Sequence, residues 1–219
     1  MPFHSGSHNM FRMLIFLCVY LLTQSVQARI PDITDAEKAL TSPFCIDTEA
    51  FGGAHQCQGG RTPKSHYWQR VLGNGFCHLH HYCWAEIHLL RANKHSTSPE
   101  ERQRQFQYAI GEFSYVIRHS PRDFVLLPEV YTRLGQAALR INDYTAADDA
   151  FRNARELKPD YWPAYSHWAE YLIRVGEHSA ARKIVTDGLH HAPNAKTLLD
   201  QLQRLGGVPA NSGKTGQAQ

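Results

Sequence analysis

Apolar residues along the C-terminal two thirds of the chain recur three and four apart, the spacing that lines one face of a helix. Tyr131, Leu134 and Ala138 mark a first helix, and Ala147, Phe151 and Ala154 mark a second. Gly135 and Ala147 are small, so the two backbones can approach closely while Phe151 fills the seam. Asn142-Asp143 supplies the turn between them. Pro159 ends the second helix, because proline lacks an N–H and disfavours helix in the residue before it. The pattern then recurs. Tyr165, Trp168, Ala169 and Leu172 predict a third helix, Gly176 a turn, Ala181, Val185 and Gly188 a fourth helix, and Pro193 its end.

Upstream, the stretch FCHLHHYCWAEIHLLRAN at 76–93 has helical apolar spacing. A long helix is predicted from Pro99 to His119. Ser98 caps it, Pro99 suits its first turn, and Glu101 completes a capping box. Residues 29–75 show no repeat. Asp35 to Leu40 predicts one short helix before Pro43, and Pro63 to Leu72 predicts another, ended by Gly73-Asn74-Gly75. Gly52-Gly53 and Gly59-Gly60 predict a loop. After Pro193, Asn194 is placed to cap a last helix through Leu198, Leu199, Leu202 and Leu205, which Gly206-Gly207 stops. The small, polar remainder predicts a disordered tail.

Counted from Pro128, Tyr131, Leu134, Gly135, Ala138, Ala147, Phe151, Ala154 and Pro159 fall at positions 4, 7, 8, 11, 20, 24, 27 and 32 of a 34-residue frame. Counted from Trp162, Tyr165, Trp168, Ala169, Leu172, Ala181, Val185, Gly188 and Pro193 fall at the same places. This tandem resembles tetratricopeptide repeats over about residues 128–195. A degenerate earlier copy places His81, Trp84, Ala85 and His88 on its first helix and Ala109, Phe113 and Val116 on its second, with Pro121 at its end. Its step from Ala85 to Ala109 is 24 residues, against 12 in the regular frame.

The resemblance implies an all-α chain: a short right-handed superhelix of tetratricopeptide-type helical hairpins with a Cys-rich irregular N-terminal segment. The expected divisions are 1–28 signal peptide, 29–75 cap, 76–127 degenerate repeat, 128–161 and 162–195 regular repeats, 196–206 capping helix and 207–219 tail. It also implies a concave groove lined by Glu129, Thr132, Gln136, Leu139 and Arg140, then Pro163, Ser166, Glu170, Ile173 and Arg174. Tyr82 and Leu89 would extend it with apolar contacts. Arg140 and Arg174 hold the same place in successive repeats, an arrangement suited to carboxylates of an extended peptide. The bland alternative is two solvated arginines.

Composition adds an address. Arg12, the apolar run Met13 to Leu22 and Val26-Gln27-Ala28 read as a cleaved signal peptide. The run is short of the ~20 residues that span a bilayer. Losing Arg12 leaves 22 basic and 20 acidic residues, which does not suggest nucleic acid as a partner. Four cysteines remain, Cys45, Cys57, Cys77 and Cys83. An even number in an exported chain favours two disulfides, and a periplasmic or secreted location. If Cys77 and Cys83 are both helical they face different ways, so each reaches back. Two connectivities stay open: 45–77 with 57–83, or 45–83 with 57–77.

The Cys/His stretch permits a second reading, a metal site on His78, His81 and His88, with Cys77 as a further candidate. Against it, His81 and His88 occupy packing positions of a repeat. No Cys-x-x-Cys-His, Gly-x-Ser-x-Gly, phosphate-cradling glycine loop or His-Glu-x-x-His occurs. The expectation is therefore no enzyme and no cofactor. The expected role is a scaffold or accessory protein that binds another protein or peptide, with no nucleic acid and no membrane after signal cleavage. The alternative is a periplasmic metal- or cofactor-binding protein using 77–88.

Overall fold

Helices of about fourteen residues joined by three- and four-residue turns can only fold back on one another, and that constraint shapes this chain. The structure is a computed structural model and describes residues 32–52 and 63–207. Among them every regular element is helical. The α-helices are α1 (Asp35–Ala39), α2 (Pro63–Leu72), α3 (Leu79–Ala92), α4 (Pro99–His119), α5 (Leu127–Arg140), α6 (Tyr144–Leu157), α7 (Trp162–Arg174), α8 (His178–His191) and α9 (Lys196–Arg204). Short 3-10 turns lie at Pro43–Asp47, Glu49–Phe51 and Asn74–His78. The expected signal peptide, the glycine-flanked loop around Cys57 and the tail fall outside the described residues.

Local chemistry sets the boundaries. Thr34 and Glu37 form a full capping box at α1. The Ser98 hydroxyl accepts from the Glu101 N–H at α4. Glu101 does not complete that box; its carboxylate accepts from Arg104 and Gln105 instead. Asp143 caps α6 through the Ala146 N–H, and Asn142 before it takes φ +61°, the left-handed turn conformation that asparagine tolerates. Asn194 does not cap α9, whose preceding residue is Ala195, with no side-chain cap. The helix expected from residue 76 begins at Leu79, because the Asn74–His78 turn comes first. Cys77 therefore lies off the α3 face that carries His81 and His88.

The helices pack as three hairpins, α3 with α4, α5 with α6, and α7 with α8; α4 meets α5, α6 meets α7, and α9 covers α7 and α8. Phe151 is fully buried with Ala138 and Ala147. Facing it, a Cβ on Gly135 would stand 2.9 Å from its ring. The same device recurs at Gly188, where a Cβ would lie 2.8 Å from Leu198 and Tyr165. The α3/α4 core is larger and aromatic. Tyr82 sits between Phe44 and Phe113, with ring centroids 5.6 and 5.7 Å away.

Polar ties and a disulfide join the irregular cap to α3. Cys45 and Cys83 are bonded across 38 residues, both fully buried. This excludes the 45–77 pairing. Cys77 is disulfide-bonded as well. The buried Glu86 carboxylate accepts from the Ser42 N–H at 2.7 Å and its hydroxyl at 3.0 Å. Glu37 accepts from Arg91 at 2.9 Å and Lys94 at 3.0 Å, and the Arg91 bond holds its pKa far below the ordinary carboxylate range.

Replacing Cys45 and Cys83 together by serine should lower unfolding stability by about 2–4 kcal/mol in a urea titration, with helical circular dichroism retained. Phe151→Ala should cost about 3–5 kcal/mol by the same measurement, since the void lies between two backbones held by their own packing.

Candidate functional site

Residues three and four apart on α5, Arg133, Gln136 and Arg140, face a cavity of about 310 Å³. Residues at the same spacing on α7, His167, Glu170 and Arg174, face it too. The two sets are 34 residues apart, position for position. Leu89, Phe106, Leu139 and Tyr171 supply apolar wall, and Asn93 and Ala137 complete the lining.

The charges of this cavity are unequally satisfied. Arg133 donates to Glu129 at 3.0 Å, lies 3.6 Å from Glu86, and stands 5.5 Å over the Tyr82 ring. Glu129 also accepts from the Tyr82 hydroxyl at 2.7 Å. Glu170 is held by Arg204 at 2.5 Å and Gln201 at 3.2 Å, and the Arg204 bond keeps its pKa below the usual range. Arg140 and Arg174 have no ion pair among the described residues. Each lies over a ring instead, Arg140 4.8 Å from Phe106 and Arg174 5.7 Å from Tyr171. The cavity thus holds two cations whose hydrogen-bonding capacity is open.

Of the residues expected in a groove, Gln136, Leu139, Arg140, Glu170 and Arg174 line this cavity, as does Leu89. Thr132 and Ser166 are 3% and 5% exposed and offer no surface; the Thr132 hydroxyl bonds the Pro128 carbonyl of its own helix. Tyr82 is 1% exposed, a core residue and not a groove wall. Ile173 packs into the α7–α9 core, and Pro163 lies outside the lining. Arg133 and His167 were not anticipated. The signal for them was the 34-residue repeat itself, one helical turn before Gln136 and Glu170.

A second concentration of chemistry lies at the start of α3. The His80 ring approaches Glu49 at 3.0 Å and the Cys77 carbonyl at 3.1 Å. His81 pairs with Glu112 and stacks on Tyr115, whose ring also stacks on His119. His78 lies 5.7 Å from the His119 ring. His88 is buried and bonds Gln105 at 2.6 Å. Of the candidate ligands, His78 and His81 thus share a ring cluster with Tyr115 and His119, while His88 is set apart on Gln105. Among the described residues no three His, Cys, Asp or Glu side chains group to hold a metal ion. Burial and the neighbouring His81 push the His80 pKa down to about 4. Burial lowers His78 and His88 as well, and His119 adds to the effect at His78.

A histidine whose pKa is lower folded than unfolded stabilises the fold above its unfolded pKa and loses that contribution as pH falls. His78, His80 and His88 should therefore make stability fall from about pH 6.5 downward, by up to about 1.4 kcal/mol per pH unit for each. Urea titrations between pH 7.5 and 5 should show this slope, and His80→Gln should make it shallower. Equal slopes in the two proteins would remove His80 from the account.

Scanned against protein-family models and searched against curated proteins, the sequence matches neither.

Proposed function

We propose that this chain is an exported scaffold of tetratricopeptide type, and that it captures an extended acidic segment of a partner protein in the cavity between α5 and α7. The observation that carries this reading is the pair Arg140 and Arg174, one cavity wall each, without an ion pair among the described residues. A guanidinium offers a planar fork of N–H donors that a carboxylate matches in two bonds. Stacking over Phe106 and Tyr171 restricts both side chains, so less freedom is lost when a ligand arrives. Leu89, Leu139 and the ring of Tyr171 give apolar contact beside the charges, and Gln136 and Asn93 suit the peptide groups of an extended chain.

The repeat assignment draws support from the 34-residue offset that relates the two cavity walls. Export draws support from the Cys45–Cys83 disulfide and from the apolar run before Ala28. No helix among the described residues is long and apolar enough to cross a membrane. The role that fits is an accessory or scaffold subunit of a cell-envelope or secreted assembly, which works by holding another protein and not by chemistry of its own.

The test is affinity purification from the native cell envelope with this protein and with its Arg140→Glu, Arg174→Glu variant as baits. A partner held through the cavity should bind the variant at least about 100-fold more weakly, since each charge-assisted contact is worth roughly 1.5–3 kcal/mol. Circular dichroism should not change, because Arg140 and Arg174 are exposed. Undiminished capture by the variant would remove the cavity from the function.

A further inference from the structure

One wall of the cavity titrates. His167 is exposed on α7 and lines the cavity beside residues of α5. Gln136 of α5 reaches it, with Nε2 3.0 Å from the ring Nδ1 and 3.1 Å from the ring Nε2. Near-equal reach to both ring nitrogens places the amide against the face of the ring and not along either lone pair, so this contact packs the ring between the two walls without fixing its charge. The charged groups around it are Arg133 and Arg140 from α5 and Arg174 from its own helix. The carboxylates are Glu170, engaged by Arg204 of α9, and Glu129, engaged by Arg133 and Tyr82. Asn93 and Phe106 close the side toward α3 and α4 without charge. The empty cavity is thus cationic and favours the uncharged ring. Burial and the Arg133 charge lower the His167 pKa, and Glu170 opposes them only in part.

We propose that His167 takes up a proton when an acidic segment enters the cavity, so that capture tightens as the surroundings acidify. This rests on the reading of the cavity as a site for acidic segments. A carboxylate brought against the imidazole supplies the negative charge the empty cavity lacks and favours the protonated ring. The protonated ring has two N–H donors and no acceptor, and Gln136, set against its face, occupies neither of them in line. An N–H of the ring is therefore available to the ligand. By linkage, the factor by which ligand favours protonation is the factor by which protonation favours ligand. The window runs from the lowered pKa of the empty cavity up to the higher pKa of the occupied one, since above both the ring is neutral in either state and below both it is protonated in either state.

The experiment uses a dye-labelled hexa-aspartate peptide, which stays ionised at both pH values chosen, and fluorescence anisotropy with the disulfide-bonded full chain at pH 7.5 and pH 5.5. Affinity should be about fivefold higher at pH 5.5. His167→Gln should bind with little pH dependence, and His167→Lys, permanently charged, should bind tightly at both. Calorimetry at pH 6.5 in two buffers of different ionisation heat should register proton uptake by the native protein and none by His167→Gln. Circular dichroism of each protein at both pH values separates binding from loss of fold. No binding by the native protein at either pH would overturn the acidic-segment reading itself. Binding of equal strength at both pH values, or a pH dependence that survives in His167→Gln, would overturn the role of His167 and leave that reading standing.

Discussion

The arrangement depends on how closely α5 can approach α6. Phe151 fills that seam, and it can do so only because the facing position is Gly135; any side chain there would start 2.9 Å from the ring. The close approach fixes the rotation of α5 about its own axis. With Leu134, Gly135 and Ala138 turned inward, Arg133, Gln136 and Arg140 turn to the other side, into the cavity. Phe151 also contacts Trp168 of α7, with centroids 5.7 Å apart. One side chain therefore ties the rotation of α5 to that of α7. The alignment of the two cavity walls is a packing result before it is a chemical one.

The cap solves a different problem. A segment with so little helical periodicity cannot bury much apolar surface, and it is held instead by directional contacts. Phe44 is its main apolar contribution, against Trp68 and Tyr82. Beside it stand the Cys45–Cys83 bond, the hydrogen bonds to Glu86 and Glu37, and the contact of His80 with Glu49. Burying Glu86 carries a desolvation cost, visible as a pKa raised by that burial. Its partners offset this: Ser42 from the cap, and Arg133 from α5. Arg133 is consequently part of the framework. It is shared between Glu86 and Glu129, while Arg140 further along the same wall and Arg174 on the opposite one have no ion pair with a carboxylate among the described residues.

What the sequence made legible is what short-range rules govern. The helices α4 and α2 run between the residues that Ser98-Pro99 and Pro63 to Gly73 mark, and the Asn142 turn is where the hairpin needs left-handed backbone. The spacing of Tyr131, Leu134 and Ala138 placed the buried face of α5 correctly. What was not legible depends on contacts between distant residues. The choice of Cys83 over Cys77 for Cys45 follows from a 3-10 turn at Asn74–His78, which helical periodicity does not reveal. Thr132 and Ser166 look polar enough for a groove, yet a hydroxyl that bonds a carbonyl of its own helix can be buried at little cost, as Thr132 does. His88 found Gln105 across the α3/α4 hairpin, a pairing no local pattern announces.

The two cavity walls are equal in geometry and unequal in charge. Across the 34-residue offset Arg133 faces the register of His167, Gln136 that of Glu170, and Arg140 that of Arg174. Only the last pair repeats its charge. At the middle, Glu170 would cancel one arginine, but Arg204 from α9 occupies it, so the terminal helix that covers the apolar end of the fold also preserves the positive balance of the cavity. At the far end, a permanent cation on α5 is matched by a group on α7 whose charge depends on its surroundings. An arginine there, as on α5, would have added to the positive charge of the cavity, at the cost of mutual repulsion with Arg133. The substitution of histidine relieves that repulsion when the cavity is empty and keeps a cation in reserve for when it is filled.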